Sequence, residues 1–127
     1  MEPLLIESTN ITPHVEFNKS SGVFLLQGRS LPEDVKNFYS PLLSWIDKYM
    51  TSPNSLSVLT LDFDYFNTAS SKMILLLLNK FKEMFKNGLD VKVLWKYPEL
   101  DTELEEAGEE FSELMGIPFE LYPKKID

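Results

Sequence analysis

Leu56-Ser57-Val58-Leu59-Thr60-Leu61-Asp62-Phe63, continued by Asp64-Tyr65-Phe66-Asn67-Thr68-Ala69-Ser70-Ser71-Lys72, carries the clearest strand-to-helix pattern of the chain. Its first half is rich in Leu, Val and Thr and reads as a strand. Asn67 and Thr68 then suit the cap of a helix that runs through Lys86 and stops at Asn87-Gly88. Ile74, Leu77, Leu78, Phe81, Met84 and Phe85 recur at helical spacing as a core stripe, which leaves Met73 and Leu76, with Leu75 beside them, on the flank. A strand therefore feeds straight into a helix amino terminus.

Nearer the amino terminus, Leu4-Leu5-Ile6 reads as a short strand. His14-Val15-Glu16-Phe17 and Val23-Phe24-Leu25-Leu26-Gln27 flank the turn-rich Asn18-Lys19-Ser20-Ser21-Gly22 as a hairpin. Ser30-Leu31-Pro32-Glu33 has the spacing of a capping box, so a helix is expected from Ser30, bearing Val35, Phe38, Tyr39, Leu42, Leu43, Ile46 and Tyr49. Pro41 predicts a kink there, or two short helices. Leu89 to Trp95 is a further strand, Leu100 to Met115 a third helix, and Pro118 to Tyr122 a last short strand. This order predicts one α/β domain over residues 1–127, with a mixed sheet of five to six strands, an opening hairpin and three main helices; its later strands are parallel and joined by crossovers.

Composition excludes much chemistry. The 127 residues contain no Cys, hence no disulfide or thiolate site, and this favours the cytosol. The amino terminus lacks the basic start and long apolar run of a signal peptide, and the longest apolar run, Met73 to Leu78, is far too short for direct membrane insertion. His14 is the single His, so no His cluster for a metal can form, and the dispersed glycines exclude phosphate-binding and dinucleotide loops. Asp62 and Asp64 form an Asp-x-Asp pair that could hold Mg²⁺ in a phosphotransferase, without a third acid or a basic clamp nearby. No cofactor is expected. The net charge of −8 is concentrated between Glu99 and Glu113, where eight acids stand without a Lys or Arg. That segment argues against nucleic acid and fits a solvated face or a basic partner.

The segment around Thr68 is more informative. Thr68, Ser70 and Ser71 crowd hydroxyls onto the first turn of a helix, where free amides and the end-dipole favour negative charge. Residue chemistry alone accounts for the stretch as a plain helix cap. A phosphoryl group on Thr68 would nonetheless add about −1.5 to −2 charges where a helix tolerates them best.

Beyond these local readings, the chain resembles the SiaC-like phosphoprotein regulators, whose fold is similar to the STAS domains of anti-sigma-factor antagonists. The resemblance spans essentially the whole chain. It rests on Met1-Glu2-Pro3-Leu4, Gly28-Arg29-Ser30, the run from Phe38 to Trp45, Tyr65-Phe66-Asn67-Thr68-Ala69-Ser70-Ser71-Lys72, Glu106-Ala107-Gly108-Glu109 and Pro118-Phe119. It implies a non-enzymatic partner switch with Thr68 as the phosphorylated residue. A partner kinase (SiaB-like) would add the phosphate and a membrane-anchored PP2C-type phosphatase (SiaA-like) would remove it. The unphosphorylated form would bind and activate a diguanylate cyclase (SiaD-like), raising cyclic di-GMP and promoting biofilm formation. The partner contact expected around Thr68 comprises Tyr65, Phe66, Asn67, Ala69, Ser70, Ser71, Lys72, Met73 and Leu76. An anti-sigma-factor antagonist, acting on a kinase-type anti-sigma factor, is the alternative output.

Overall fold

A computed structural model describes residues 1–125. Six strands form one sheet in chain order: β1 (Leu4–Ile6), β2 (His14–Asn18), β3 (Val23–Ser30), β4 (Leu56–Phe66), β5 (Asp90–Pro98) and β6 (Phe119–Lys124). The expected hairpin forms, with β2 and β3 antiparallel and β1 antiparallel on the outer edge of β2. From β3 onward the sheet is parallel, because each later strand is reached through a helix: α1 (Val35–Tyr49), α2 (Thr68–Lys86) and α3 (Thr102–Met115).

Packing of α1 on α2 and of α2 on α3 makes the helices one layer. Beneath it lie Phe24 and Leu26 of β3, Leu59, Leu61 and Phe63 of β4, and Val93 and Trp95 of β5, all buried. The intervening residues on the opposite face, such as Thr60, Lys92 and Leu94, are half-buried or exposed, with the buried Asp62 an exception. Two-residue alternation thus separates a core face from a wetter one. Aromatic rings fill the core in two groups. Phe17, Phe24, Trp45, Tyr49 and Phe81 pack under α1 and α2. Phe63, Phe66, Trp95 and Phe111 pack under α3.

Alternation breaks at one place that matters. Gly28 pairs with Phe63 and Arg29 with Tyr65, so Asp64 is an extra residue on β4 and the pairing register shifts. Gly28 sits at φ 122°, a backbone conformation that side chains resist. Beyond this bulge Tyr65 turns outward under the Arg29 guanidinium, 5.5 Å from the ring centre, and Phe66 turns into the core against Trp95 and Phe111.

Two local expectations are corrected. Ser30 does not open a capping box. It ends β3 with its side chain fully buried, and Asp34 caps α1 by accepting from the amide of Asn37. Nor does Pro41 divide the helix: α1 runs unbroken from Val35 to Tyr49. Both Pro41 and Asn37, whose carbonyl loses its donor, are exposed, so that carbonyl is not left buried without a partner.

Candidate functional site

The carboxyl end of β4 delivers the chain into α2 at Asn67, whose extended backbone (φ −92°, ψ 174°) makes it the cap. Its Oδ1 accepts from the Ser70 amide at 2.8 Å, and its own amide donates to the Ser30 carbonyl at 3.1 Å. Thr68 is therefore the first helical residue, with its side chain exposed and its hydroxyl not needed for the cap. The first turn carries no acid, which leaves the amide dipoles and the positive helix end unneutralised.

Thr68 stands on the rim of a cavity of about 300 Å³ between the start of α2 and α3. Phe66, Asn67, Thr68 and Ser71 form one wall; Ala107, Glu110, Phe111 and Leu114 form the other. The lining is mixed: Phe66, Ala107, Phe111 and the exposed Leu114 are apolar, and Asn67, Thr68, Ser71 and Glu110 are polar. The α3 wall was not assigned to the site by sequence, where the acidic segment reads only as a charged surface. Gly108 is what brings α3 in. A Cβ there would lie 2.5 Å from Cδ1 of Trp95, so only glycine lets the helix rest on the indole. The Trp95 Nε1 donates to the Leu104 carbonyl at 2.9 Å and fastens that contact. Farther along, Tyr97 donates to Glu105 at 2.8 Å; that hydrogen bond, with burial and the charges of Glu105 and Glu109, holds the phenol above its ordinary pKa.

The residues expected to surround Thr68 part company. Ala69 and Lys72 are exposed on the same helix end, and Ser71 is half-buried in the cavity wall. Tyr65 opens onto a neighbouring depression with Asp64, Asp101 and Glu103. Ser70 is no surface residue: it has 0% exposure, and its hydroxyl donates to the Ser30 carbonyl at 2.9 Å. Met73 is likewise buried, because the buried face of α2 widens to take in Ser70 and Met73, while Phe85, expected in the core, is 39% exposed. Leu76 is 47% exposed as expected, but it faces a second cavity of about 300 Å³ against α1, lined by Leu43, Met50 and Lys80. Eight positions from Thr68, it lies around the helix on another flank.

The Asp-x-Asp pair has a different occupant from the one a phosphotransferase would need. Lys124 forms an ion pair with Asp62 and lies 3.5 Å from Asp64, and Gln27 donates to the other Asp62 oxygen at 3.0 Å. An ammonium group already holds the position between the carboxylates, and the described residues contain no group of three potential metal ligands. Among the described residues, no helix is long and apolar enough to cross a membrane.

The profile of SiaC family regulatory phosphoproteins matches residues 6–124. An uncharacterised protein of Pseudomonas aeruginosa strain UCBPP-PA14 is 27% identical over 121 residues, which are 95% of this chain and 96% of that protein. The crystal structure of apo-SiaC from Pseudomonas aeruginosa superposes with a TM-score of 0.88 at 27% identity, covering 96% of this chain and 99% of that one. SiaC as crystallised with the diguanylate cyclase SiaD, of which it is the activator, also from Pseudomonas aeruginosa, superposes at 0.90 and 26% identity, covering 95% and 99%. With nearly its whole length matched in sequence and in fold, the chain belongs to the SiaC family of regulatory phosphoproteins.

Proposed function

We propose that this chain is a non-catalytic partner switch of the cytoplasm whose unphosphorylated form binds and activates a diguanylate cyclase. A kinase acting on Thr68 turns it off and a PP2C-type phosphatase restores it. The observation that carries this reading is the position of Thr68: exposed on an acid-free helix amino terminus, lining a cavity that it shares with Phe66, Phe111 and Leu114 and whose far wall bears Glu110. The likeness to a SiaC that activates a cyclase supports the choice of partner.

A partner side chain seated in the cavity would contact Thr68 directly. A phosphate there is tolerated by the helix, gaining about 0.3–1 kcal/mol from the end-dipole. It would also have to be desolvated under the partner, in a cavity it shares with the Glu110 carboxylate. A loss of about 3 to 4 kcal/mol suffices, since each ~1.4 kcal/mol is tenfold in affinity.

The test compares the unmodified protein, Thr68→Ala and a stoichiometrically phosphorylated form for binding to the host's diguanylate cyclase. Unmodified protein and Thr68→Ala should bind alike, and the phosphorylated form at least a hundredfold more weakly. Equal affinity of phosphorylated and unmodified protein would refute the switch.

A further inference from the structure

Three segments far apart in sequence meet in one buried hydroxyl chain directly behind Thr68. Ser30 at the end of β3, Tyr39 in α1 and Ser70 in the first turn of α2 are each 0% exposed. Their proton bookkeeping has one solution. The Ser70 hydroxyl donates to the Ser30 carbonyl at 2.9 Å, and the Ser30 hydroxyl donates to Ser70 Oγ at 2.8 Å. Each serine has a single hydroxyl proton, so the 2.6 Å contact between Tyr39 and Ser30 must use the proton of Tyr39. The chain runs one way, from Tyr39 to Ser30 to Ser70 to the Ser30 carbonyl. That carbonyl also accepts from the Asn67 amide at 3.1 Å, so both its lone pairs are engaged by the turn that contains Thr68.

We infer that the Tyr39–Ser30–Ser70 hydroxyl chain selects the phosphoacceptor, by locking the Ser70 hydroxyl into the core and pinning the first turn of α2 so that Thr68 is presented and Ser70 is not. The inference rests on Thr68 being the acceptor. Transfer from a nucleoside triphosphate breaks the bond between the terminal phosphorus and its bridging oxygen, forms a bond from phosphorus to the acceptor Oγ, and releases the hydroxyl proton and the nucleoside diphosphate. The acceptor oxygen must therefore reach an enzyme and give up its proton. Thr68 satisfies both conditions. Ser70, two residues on and with the more accessible primary alcohol in chemical terms, satisfies neither while its oxygen is sealed and its proton is held by a carbonyl. Ser30, Tyr39 and Ser70 are positioning residues here; none touches the phosphoryl donor.

The experiment expresses the full chain in its own host, so that the resident kinase acts on it, and maps phosphate by phosphopeptide mass spectrometry. Wild type should carry phosphate on Thr68 and none on Ser70. Thr68→Ala, with the hydroxyl chain intact, should carry none on Ser70. Adding Ser30→Ala, which removes the donor to Ser70 Oγ, or the milder Tyr39→Phe to Thr68→Ala leaves the bond to the Ser30 backbone carbonyl but loosens the turn, and should place phosphate on a detectable fraction of Ser70. The same variants should speed amide exchange of residues 68–71 by roughly tenfold, as expected for one lost buried hydrogen bond, while exchange in β4 and β5 stays unchanged. Phosphate on Ser70 in Thr68→Ala alone would overturn the inference. So would double variants, folded by circular dichroism, in which Ser70 stays unmodified, whether or not exchange in the turn is faster. A wild-type chain without phosphate on Thr68 would instead remove the reading on which the inference rests.

Discussion

Thr68 on α2 and Glu110 on α3 line one cavity from opposite walls, forty-two positions apart in sequence. A phosphate on Thr68 would meet a carboxylate there, with Lys72 one turn along α2 as the nearest cation in sequence. Part of the phosphate effect should therefore come from α3. Glu110→Gln is expected to shrink the difference in cyclase affinity between phosphorylated and unmodified protein by roughly five- to tenfold, the size of one like-charge contact of about 1 kcal/mol near a surface. Titration calorimetry on the two forms of each variant measures it. An unchanged difference would mean that α3 takes no part in reading the phosphate.

Gly108 is the point on which that wall is hung. Gly108→Ala would set a methyl 2.5 Å from Cδ1 and 2.6 Å from Nε1 of Trp95, a rigid ring in the core. Either the indole gives up its hydrogen bond to the Leu104 carbonyl or α3 lifts. Overpacking of this kind costs about 1–3 kcal/mol, to be read from urea unfolding, and partner binding should fall beyond what the loss of folded protein explains.

The two exposed leucines near α2 should separate in their effects. Leu114 overhangs the Thr68 cavity, whereas Leu76 opens onto the groove against α1. Leu114→Asp is expected to weaken cyclase binding at least tenfold more than Leu76→Asp, with both variants within about 0.5 kcal/mol of wild-type stability because neither side chain is in the core. The reverse order, measured by biolayer interferometry, would move the contact to the α1 side.

Burial pushes the Tyr39 phenol up to about 12 from its ordinary 10, outweighing the opposing influence of the neighbouring Ser30 and Ser70 hydroxyls. The folded chain thus holds this proton more tightly than the unfolded chain does. The contribution is fully present below pH 10, and stability should fall by about 1.4 kcal/mol per pH unit from there until about pH 12. Tyr39→Phe removes the titrating group, so between pH 9.5 and 11.5 its denaturation midpoint should fall less steeply than that of wild type. Parallel slopes would show that Tyr39 is not buried as a neutral donor.

Local sequence was enough for the order of elements, the opening hairpin, the parallel later strands and the placement of Thr68 at a helix start; that Thr68 is exposed while Ser70 is buried came from the packing. The former follow from local periodicity and cap chemistry, which act over a few residues. It misread Ser30, because a serine three positions before a glutamate looks like a capping box wherever it occurs, and only the tertiary structure supplies Tyr39 and Ser70 as competing partners. It placed Met73 outside the core for a related reason: the width of a buried helix face depends on how far the neighbouring helix and sheet wrap around it, which a spacing of 3.6 does not record. The inward turn of Phe66 required the bulge at Asp64, a mismatch between two strands rather than a property of either. The same holds for the candidate site. Half of its cavity comes from α3, held against Trp95 by the absence of a single Cβ, and no local pattern in the acidic segment encodes which surface it will face.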